Sequence, residues 1–458
     1  MSWGDAINKN EVFGFNNDYI NIESLDSKKL IMWVNHEYVN PIFVSSKERT
    51  KENVDKEKSL VGGSLVELNL TDKGWHLNPK SEYNRGVRGD TMIPFAGGKS
   101  VYGSKTAEGT LGNCAGGKTP WGTFLTCEEN YDGFYGERDR KTGELMTKKS
   151  RYDWYKFYPQ NVPEHYGWVV EVEPKTGKSQ KHTNLGRFAH ESATPIISKS
   201  NKVVVYTGDD KNDEHLYKFV SKNAKDLDHG VLYVASLELQ KWLPLDLELS
   251  PILKEHFKTQ LDVVTYAREA SKILGATPLN RPEDIEIHPS TGDVFVALTN
   301  NKKRKDFHGS ILKISENKGD HAELGFKSET FMLGGEKVGF SCPDNLAFDS
   351  KGNLWISTDI SGSAVGNDPY KAFGNNGIFV VQATGPQAGQ AIQIASAPID
   401  AEFTGLCFDP AEKTLFVSVQ HPGERTKDLN NPTSTWPTGK IPKPSVIAIT
   451  GPLLVRLI

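Results

Sequence analysis

The sequence lacks the features that define several large protein classes. Its 458 residues contain no run of about 18 apolar residues, which excludes a membrane-spanning helix. Basic residues (54) do not outnumber acidic ones (58), the net charge is −4, and no basic stripe occurs, so binding to a nucleic-acid backbone is disfavoured. The patterns His-Glu-x-x-His, Gly-x-Ser-x-Gly and Cys-x-x-Cys are all absent. With 12 histidines, a His-rich zinc hydrolase site is not expected.

One phosphate-binding pattern is present but lies in the wrong context. Residues Gly112–Thr119 match the phosphate-binding loop of nucleotide triphosphatases. That loop needs a parallel strand before it and a helix after it, whose first amides hold the phosphate. Here Pro120 follows at once and a β-type run comes next, so nucleotide binding at this loop is disfavoured.

Turn-forming residues are abundant, with 42 glycines and 24 prolines, and short β-branched or aromatic runs recur between them. Six of these runs end in polar or acidic residues: Met32–Glu37, Phe124–Glu129, Val203–Asp210, Val294–Asn300, Leu354–Asp359 and Leu415–His421. Their spacing averages ~77 residues, which suits a propeller blade with inserted loops. The pattern predicts an all-β protein, a six-bladed β-propeller forming a single domain over residues 1–458. A pair of β-sandwiches is the alternative.

The last three blades carry a fuller hairpin repeat. Its copies are Pro282–Pro289, Pro343–Asp349 and Phe403–Pro410. A weaker copy starts at Glu191. Residues from about 250 to 275 read as a small helical insertion, with Ser250 as candidate N-cap and Gly275 as candidate C-cap. Long loops account for much of the remainder.

Acidic residues recur at the blade starts, which in a propeller converge on a central channel. Four acids occupy equivalent or near-equivalent positions: Glu191, Glu283, Asp344 and Glu402. Glu37 ends a strand that reaches the same region. Clustered carboxylates cannot all stay ionised without cations, so the pattern predicts hard cations with oxygen ligands, Ca²⁺ above all. For any one position taken singly, an acid that faces solvent is the alternative.

Cys127 ends its run near the same region and raises the hypothesis of a mixed metal site. A thiolate adds little to calcium binding but suits iron or zinc. From the residues alone, however, a buried cysteine packing as a small apolar side chain is favoured. Cys342 and Cys407 lie at neighbouring blade starts, and their spacing leaves a disulfide between them open.

Arg281 lies two residues before the repeat acid Glu283, with Pro282 between them. A guanidinium beside a metal-binding carboxylate can clamp a phosphoryl or carboxylate group through two hydrogen bonds. The alternative is a structural ion pair with Asp284 or Glu286.

Ten short motifs follow one another from residue 3 to about residue 425. They are Trp3–Asp5, Phe15–Asp18, Asn35–Tyr38, Thr119–Thr123, Thr126–Asn130, Gly186–Glu191, Gly208–Asp210, Arg281–Asp284, Pro343–Leu346 and Gln420–Glu424. In this order the chain resembles the PhoX family of exported alkaline phosphatases, which use calcium and iron rather than zinc. Each motif alone is weak, but ten in family order are specific and cover nearly the whole chain.

The resemblance implies a pair of oxo-bridged Fe³⁺ ions and several Ca²⁺ ions in the channel. It implies that Cys127 ligates iron, in place of the packing role favoured above. It also implies a metal cage completed by Glu37, Glu191, Asp210, Glu283, Asp344 and Glu402.

The implied activity is the hydrolysis of phosphate monoesters to inorganic phosphate. The resemblance gives Arg281, Glu283 and Glu191 as the catalytic set, with Arg281 binding the phosphate and fixing the in-line geometry. The cluster would neutralise developing charge, an iron-bound oxo or hydroxo group would attack phosphorus, and calcium would stabilise the leaving alkoxide. Two alternatives are a calcium-dependent lactonase or sugar-acid hydrolase, and a non-catalytic propeller that binds a partner protein.

The resemblance also predicts location and partners. The family's twin-arginine export signal is absent, and Met1–Asp5 shows no charged segment followed by an apolar one, which taken literally favours the cytoplasm. Family resemblance instead predicts a periplasmic or secreted protein in its mature form. Small phosphate esters are the expected partners, with no nucleic acid. A modest apolar content of 37% favours a monomer.

Overall fold

Six antiparallel sheets surround a central channel, and the first strand of each sheet lies against it. This computed structural model describes residues 1–458 apart from the side chain at position 149. The sheets are the blades of a propeller, so the predicted six-bladed all-β fold is confirmed.

Blades 1 to 3 are formed by the first half of the chain. Blade 1 contains β1 (Asn17–Asp26), β2 (Lys29–His36), β3 (Gly62–Thr71), β4 (Gly74–Leu77) and β5 (Arg85–Arg88); a small hairpin of β6 (Met92–Pro94) and β7 (Thr106–Glu108) follows. Blade 2 contains β8 (Asn113–Lys118), β9 (Phe124–Glu128), β12 (Val169–Val172) and β13 (Ser179–His182), with β10 (Glu137–Arg138) and β11 (Leu145–Met146) paired outside it. Blade 3 contains β14 (His190–Ile197), β15 (Val203–Asp209), β17 (Leu216–Ser221), β18 (Gly230–Ser236) and β19 (Lys241–Pro244), while β16 (Asn212–Glu214) pairs with β20 (Leu279–Asn280).

Blades 4 to 6 are more regular. Blade 4 contains β21 (Pro282–Ile287), β22 (Val294–Leu298), β23 (Ser310–Glu316) and β24 (Phe326–Leu333). Blade 5 contains β25 (Pro343–Phe348), β26 (Leu354–Thr358), β27 (Gly377–Val381) and β28 (Ala391–Ser396). Blade 6 contains β29 (Glu402–Phe408), β30 (Thr414–Gln420) and β31 (Ser445–Thr450), and Ser2 pairs with Ser445 at its outer side.

The ring closes through the six inner strands, which neighbour one another in the order β1, β8, β14, β21, β25, β29 and back to β1. At the closing contact, Ser418 Oγ in blade 6 donates to the Asp18 carbonyl oxygen in blade 1 at 2.6 Å. The six apolar runs of the sequence are the second strands of the six blades. These strands are rich in buried β-branched and aromatic residues, as expected of strands covered on both faces.

Apolar clusters fill the space between adjacent blades. The largest lies between blades 2 and 3 and joins Leu125 and Val169 to Val205 and Tyr217. Similar clusters separate the other pairs of blades. Side chains alternate along each second strand, so each strand contributes to the cores on both of its sides.

The predicted helical insertion is present but broken into short pieces. A 3-10 turn at Pro251–Glu255 precedes α4 (Gln260–Thr265) and α5 (Ala267–Ile273). The N-cap is Thr259, which forms a capping box with Asp262, whereas the Ser250 hydroxyl donates to the Pro244 carbonyl instead. Gly275 follows the last turn with φ +75°, as a C-cap requires.

The remaining helices are short. They are α1 (Pro41–Val44), α2 (Lys51–Lys58), α3 (Asp132–Tyr135) and α6 (Pro452–Leu457). Within the described part of the chain, none of the helices is long and apolar enough to cross a membrane.

Candidate metal centre and active site

Each blade places one side chain that could ligate a metal at the start of its inner strand. In five blades it is the second residue of the strand, and in blade 6 it is the first. The residues are Asp18, Cys114, Glu191, Glu283, Asp344 and Glu402, here called the inner ring. They line one cavity of about 500 Å³ at the mouth of the channel. The five carboxylates are at most 8% exposed. The four repeat acids predicted to converge therefore do so.

A break in the strand register orients the inner-ring side chains in every blade. Each inner strand has a register irregularity at or just after the ring residue, for example between Asn113 and Gly116 in β8 and between Pro282 and Ile285 in β21. Such bulges turn a side chain out of the regular alternation.

A second feature of the backbone lies directly before four of these strands. Asn16, Gly112, Arg281 and Cys342 adopt left-handed conformations, with φ of 44°, 64°, 54° and 55°. For a non-glycine residue such a conformation costs on the order of 1–3 kcal/mol and persists only where the surrounding packing holds it. The packing around these residues therefore holds the inner ring in place despite the conformational free energy that the left-handed backbone costs.

A second set of polar groups lies where the second strands end. It comprises Glu37, Glu129, Asp210, Asp359, Gln420 and His421, all of which line the same cavity. Gln420 Nε2 joins the two sets, because it donates to Asp18 Oδ2 at 2.7 Å and to Glu37 Oε2 at 3.0 Å. Asn130 Nδ2 donates to Glu37 Oε1 at 3.1 Å.

Three overlapping groups of donors could each hold a cation. They are Asp18, Glu37 and Cys114; Cys114, Glu129 and Glu191; and Glu191, Glu283 and Asp344, with ligand atoms within 4.8 Å of one another in each group. Cys114 belongs to the first two groups and Glu191 to the last two. These two residues are thus placed to bridge neighbouring ions.

The hydrogen bonding of the inner ring fits metal binding. Both carboxylate oxygens of Glu191, Asp18 Oδ1 and Glu402 Oε2 are buried without a hydrogen-bond partner. An unsatisfied buried carboxylate is costly unless a cation or proton compensates it. The donor set therefore fits cations coordinated by oxygen and, at Cys114, by sulfur.

Several acids of the cavity raise one another's pKa. Burial raises the pKa of Glu191 well above its ordinary value, and Glu283, Glu129, Asp344 and Asp18 add to the shift. Burial, together with Asp359, raises the pKa of Glu402 to about 8. Without a cation, Glu402 would therefore hold a proton at neutral pH.

Arg281 has other ion-pair partners than the two considered from sequence. Its Nε and Nη2 donate to Asp210 Oδ1 and Oδ2 at 2.8 and 3.0 Å. Nη2 also lies 2.8 Å from Glu283 Oε1 and 3.9 Å from Asp359 Oδ2. Burial opposes the charged forms, but the Arg281–Asp210 attraction outweighs it, so the pKa of Arg281 is raised and that of Asp210 is lowered. Asp284 and Glu286 are not its ion-pair partners.

The helical insertion contacts residues near Asp210 and so supports the ion pair between Arg281 and Asp210. Arg268 in α5 donates from Nε and Nη2 to the fully buried carboxylate of Asp209, with Nε–Oδ2 at 2.7 Å. Lys272 Nζ lies 2.6 Å from Glu214 Oε1. Both contacts fix the segment that carries Asp210.

The structure places Cys127 away from the cavity that the other predicted site residues line. It lies in β9, is fully buried, and packs in the apolar cluster between blades 2 and 3 together with Leu125 and Val169. Successive side chains of β9 point to opposite faces, and Cys127 shares the face of Leu125, which turns toward blade 3. Cys114 on the neighbouring strand β8 reaches the channel, with its Sγ 3.3 Å from Asp18 Oδ2. Cys127 therefore packs as a small apolar side chain, which is the role that the residues alone favoured.

The structure places Glu37, Glu191, Asp210, Glu283, Asp344, Glu402 and Arg281 at the cavity, as the sequence predicted. It adds Asp18, Cys114, Glu129, Asp359 and His421, which the sequence analysis did not single out. Glu129, Asp359 and His421 lie at the ends of second strands, which the six runs of the sequence mark, whereas Asp18 and Cys114 lie at inner-strand starts that no hairpin repeat marks. All four cysteines are free, so Cys342 and Cys407 form no disulfide.

Fold and site together define the class of protein, a β-propeller whose channel gathers several groups of side chains that could hold a metal ion. The comparisons with known proteins agree. A family model described as alkaline phosphatase PhoX matches residues 1–423. The structure of Pseudomonas fluorescens PhoX in complex with vanadate, a transition state analogue, superposes with a TM-score of 0.87 at 30% identity, covering 98% of this chain and 93% of that chain.

More distant structures show much weaker similarity. A protein of unknown function from Dyadobacter fermentans gives a TM-score of 0.47 at 9% identity, over 96% of each chain. A gluconolactonase from Xanthomonas campestris gives 0.34 at 10% identity, over 89% of this chain and 94% of that chain. No curated protein matches the chain.

The chain belongs to the PhoX family of alkaline phosphatases. It is accordingly a phosphoric monoester hydrolase, from a family that is metal-dependent.

Replacement of Cys114 should remove bound metal, whereas replacement of Cys127 should not. In C114A two adjacent donor groups lose their shared ligand, and we expect the variant to lose about half or more of its tightly bound metal. C127A creates a cavity in the apolar cluster and should lower the unfolding temperature while keeping its metal. Elemental analysis after dialysis compares the two. Equal metal content in C114A and wild type would contradict the placement of the ligand.

The metal-free protein should lose stability as the pH rises. The raised pKa of Glu402, about 8, means that the folded state keeps a proton which the unfolded chain has already released. Stability is therefore fully present below the ordinary glutamate pKa and declines as pH increases from about 5 to about 8. The measurement is the thermal unfolding midpoint in chelator.

E402Q should flatten this pH dependence, whereas E329Q, which changes an exposed acid in blade 4, should not. A midpoint that rises with pH in the presence of chelator would contradict the proposed repulsion.

Proposed function

We propose that this protein hydrolyses phosphate monoesters with a cluster of iron(III) and calcium ions held at the mouth of the propeller channel. The observation that carries the proposal is the inner ring. Its five carboxylates and one thiol come from six blades and line one cavity. We also propose that it works outside the cytoplasm, as proteins of this family generally do.

The donor chemistry supports two kinds of cation. The groups that share Cys114 combine a soft thiolate with carboxylates, a set suited to iron. The group of Glu191, Glu283 and Asp344 offers oxygen alone, which suits calcium. When bound, such cations neutralise charge on the phosphate and activate a nucleophile at neutral pH.

Arg281 is the residue placed to bind the phosphate. Its guanidinium is oriented by the two hydrogen bonds to Asp210 and by Glu283, so little side-chain freedom remains to be lost when a substrate binds. Because Nε and Nη2 are engaged by Asp210 and Glu283, the two N–H groups of Nη1 remain to donate to phosphate oxygens. Arg281 would hold the phosphate in line for attack, while Glu191 and Glu283 would act as metal ligands at the reacting centre.

The thiol distinguishes this proposal from a calcium-dependent lactonase, whose cation needs only oxygen ligands. Cys114 lies within hydrogen-bonding distance of Asp18 and within reach of two donor groups. The convergence of buried acids on one cavity also argues against a propeller that only presents its loops to a partner.

Hydrolysis of para-nitrophenyl phosphate by the purified protein, beside elemental analysis of the same sample, tests the proposal. We expect turnover with iron and calcium present, loss of turnover after chelation, and recovery when both metals are returned. Vanadate should inhibit, since the related Pseudomonas fluorescens protein binds it as a transition state analogue. A metal-loaded sample that cleaves no phosphate monoester would refute the proposal, and zinc in place of iron would refute the assigned metals.

R281K should lower kcat/KM for para-nitrophenyl phosphate by about 100-fold, because lysine keeps the charge but cannot make the two hydrogen bonds to Asp210 while also donating to the phosphate. Metal content should stay at the wild-type value. Inorganic phosphate should also become a weaker competitive inhibitor. The matched control is R456K, at an exposed position of α6 away from the cavity. Unchanged kinetics in R281K would remove Arg281 from the phosphate site.

A further inference from the structure

One cation at the cavity has no ion-pair partner. The cavity wall carries Arg281, Lys211, His421 and Arg151. Arg281 is paired with Asp210, Lys211 Nζ lies 3.4 Å from Glu129 Oε1, and His421 Nε2 lies 3.0 Å from Glu402 Oε1. Arg151 is exposed and makes no ion pair with any side chain in the described part of the chain. An unpaired guanidinium in a cavity rich in acids calls for an explanation.

The backbone that carries Arg151 is firmly anchored. The amides of Arg151 and Tyr152 donate to the Gly133 carbonyl at 2.7 and 3.2 Å. Arg49 Nη2 donates to the Tyr152 carbonyl at 2.6 Å and is itself paired with the buried Glu57. The Tyr152 side chain is 5% exposed and packs on Phe134 with ring centroids 4.9 Å apart. The guanidinium is thus presented from a fixed base.

Arg151 lies at the side of the cavity formed by blade 1, away from the blade that carries Arg281. Its side chain interacts with Tyr152, which hydrogen-bonds to it, and electrostatically with Tyr38 and Glu37, which follow the second strand of blade 1. Arg281 directly precedes the inner strand of blade 4, and blades 1 and 4 are opposite each other in a ring of six. Arg151 lines the same cavity as Arg281 and lies beside blade 1, so it is available to the alcohol of a phosphate monoester whose phosphate is held at Arg281 and the inner ring.

We propose that Arg151 is an anion subsite for the leaving group, so that the protein favours phosphate monoesters whose alcohol carries a second negative charge. The inference rests on the proposed phosphatase function. Arg151 contributes the attraction, the half-buried Tyr38 beside it gives a flat wall for the alcohol, and the surrounding acids disfavour anions elsewhere in the cavity.

The test compares substrates that differ in one charge. The probes are 4-carboxyphenyl phosphate and its methyl ester, which share the ring and the bond that is cleaved. Wild-type kcat/KM should favour the carboxylate, and R151Q should reduce the carboxylate-to-ester ratio about fivefold, the effect expected for one part-exposed ion pair. R151K should retain part of the preference, which should weaken as salt is added. R456Q, with the same charge change at an exposed site outside the cavity, should leave the ratio unchanged.

Two results would overturn the subsite: an unchanged ratio in R151Q, or an equal loss for both esters, which would place Arg151 at the phosphate itself. Calorimetry with 4-phosphonobenzoate and its methyl ester, neither of which can be hydrolysed, measures the same ratio as binding. If the metal-loaded protein turned over no ester, the proposed function would fail, and the calorimetric ratio of wild type to R151Q would still decide the subsite.

Discussion

Mutual repulsion among the buried carboxylates of the inner ring is the constraint on which the rest of the structure depends. Five acids and a thiol from six blades share one cavity, and several of their oxygens have no hydrogen-bond partner. Protons or cations must compensate such a cluster. Because the ligands come from blades far apart in the chain, cation binding and completion of the ring stabilise one another. The net charge of −4, which is unremarkable for a chain of this length, conceals a strong local excess of acid.

Holding these groups in place requires support that is itself polar and buried. The pair between Arg281 and Asp210 would be weak in water but is fixed by the fold, and Arg268 locks the adjacent Asp209 through the helical insertion. Removing one partner of such a buried pair typically costs several kcal/mol. The insertion between blades 3 and 4 therefore serves the site, although none of its own residues lines the cavity.

The fold was largely predictable because its signals are local. Buried second strands are recognisable as β-branched runs, and their polar ends mark the channel. The acids of the later blades were found because a hairpin repeat is clear there. Asp18 and Cys114 were missed because blades 1 and 2 lack that repeat, and the resemblance pointed to Cys127, which lies one strand away. Which of two neighbouring cysteines faces the channel depends on strand register and on a bulge, neither of which a sequence motif records. The partners of Arg281 depend likewise on a contact across 71 residues of sequence.

The placement of one ligand per blade, at the same point of the same strand, makes the centre modular. A single substitution at an inner-strand start changes the number or the softness of the donors while the path of the chain stays as it is. Each of the six positions can be substituted independently, so the ring can change from donors that are all oxygen to a set that includes a sulfur. Divergence of metal preference within this architecture therefore needs no insertion and no new loop, only the exchange of one side chain in one blade.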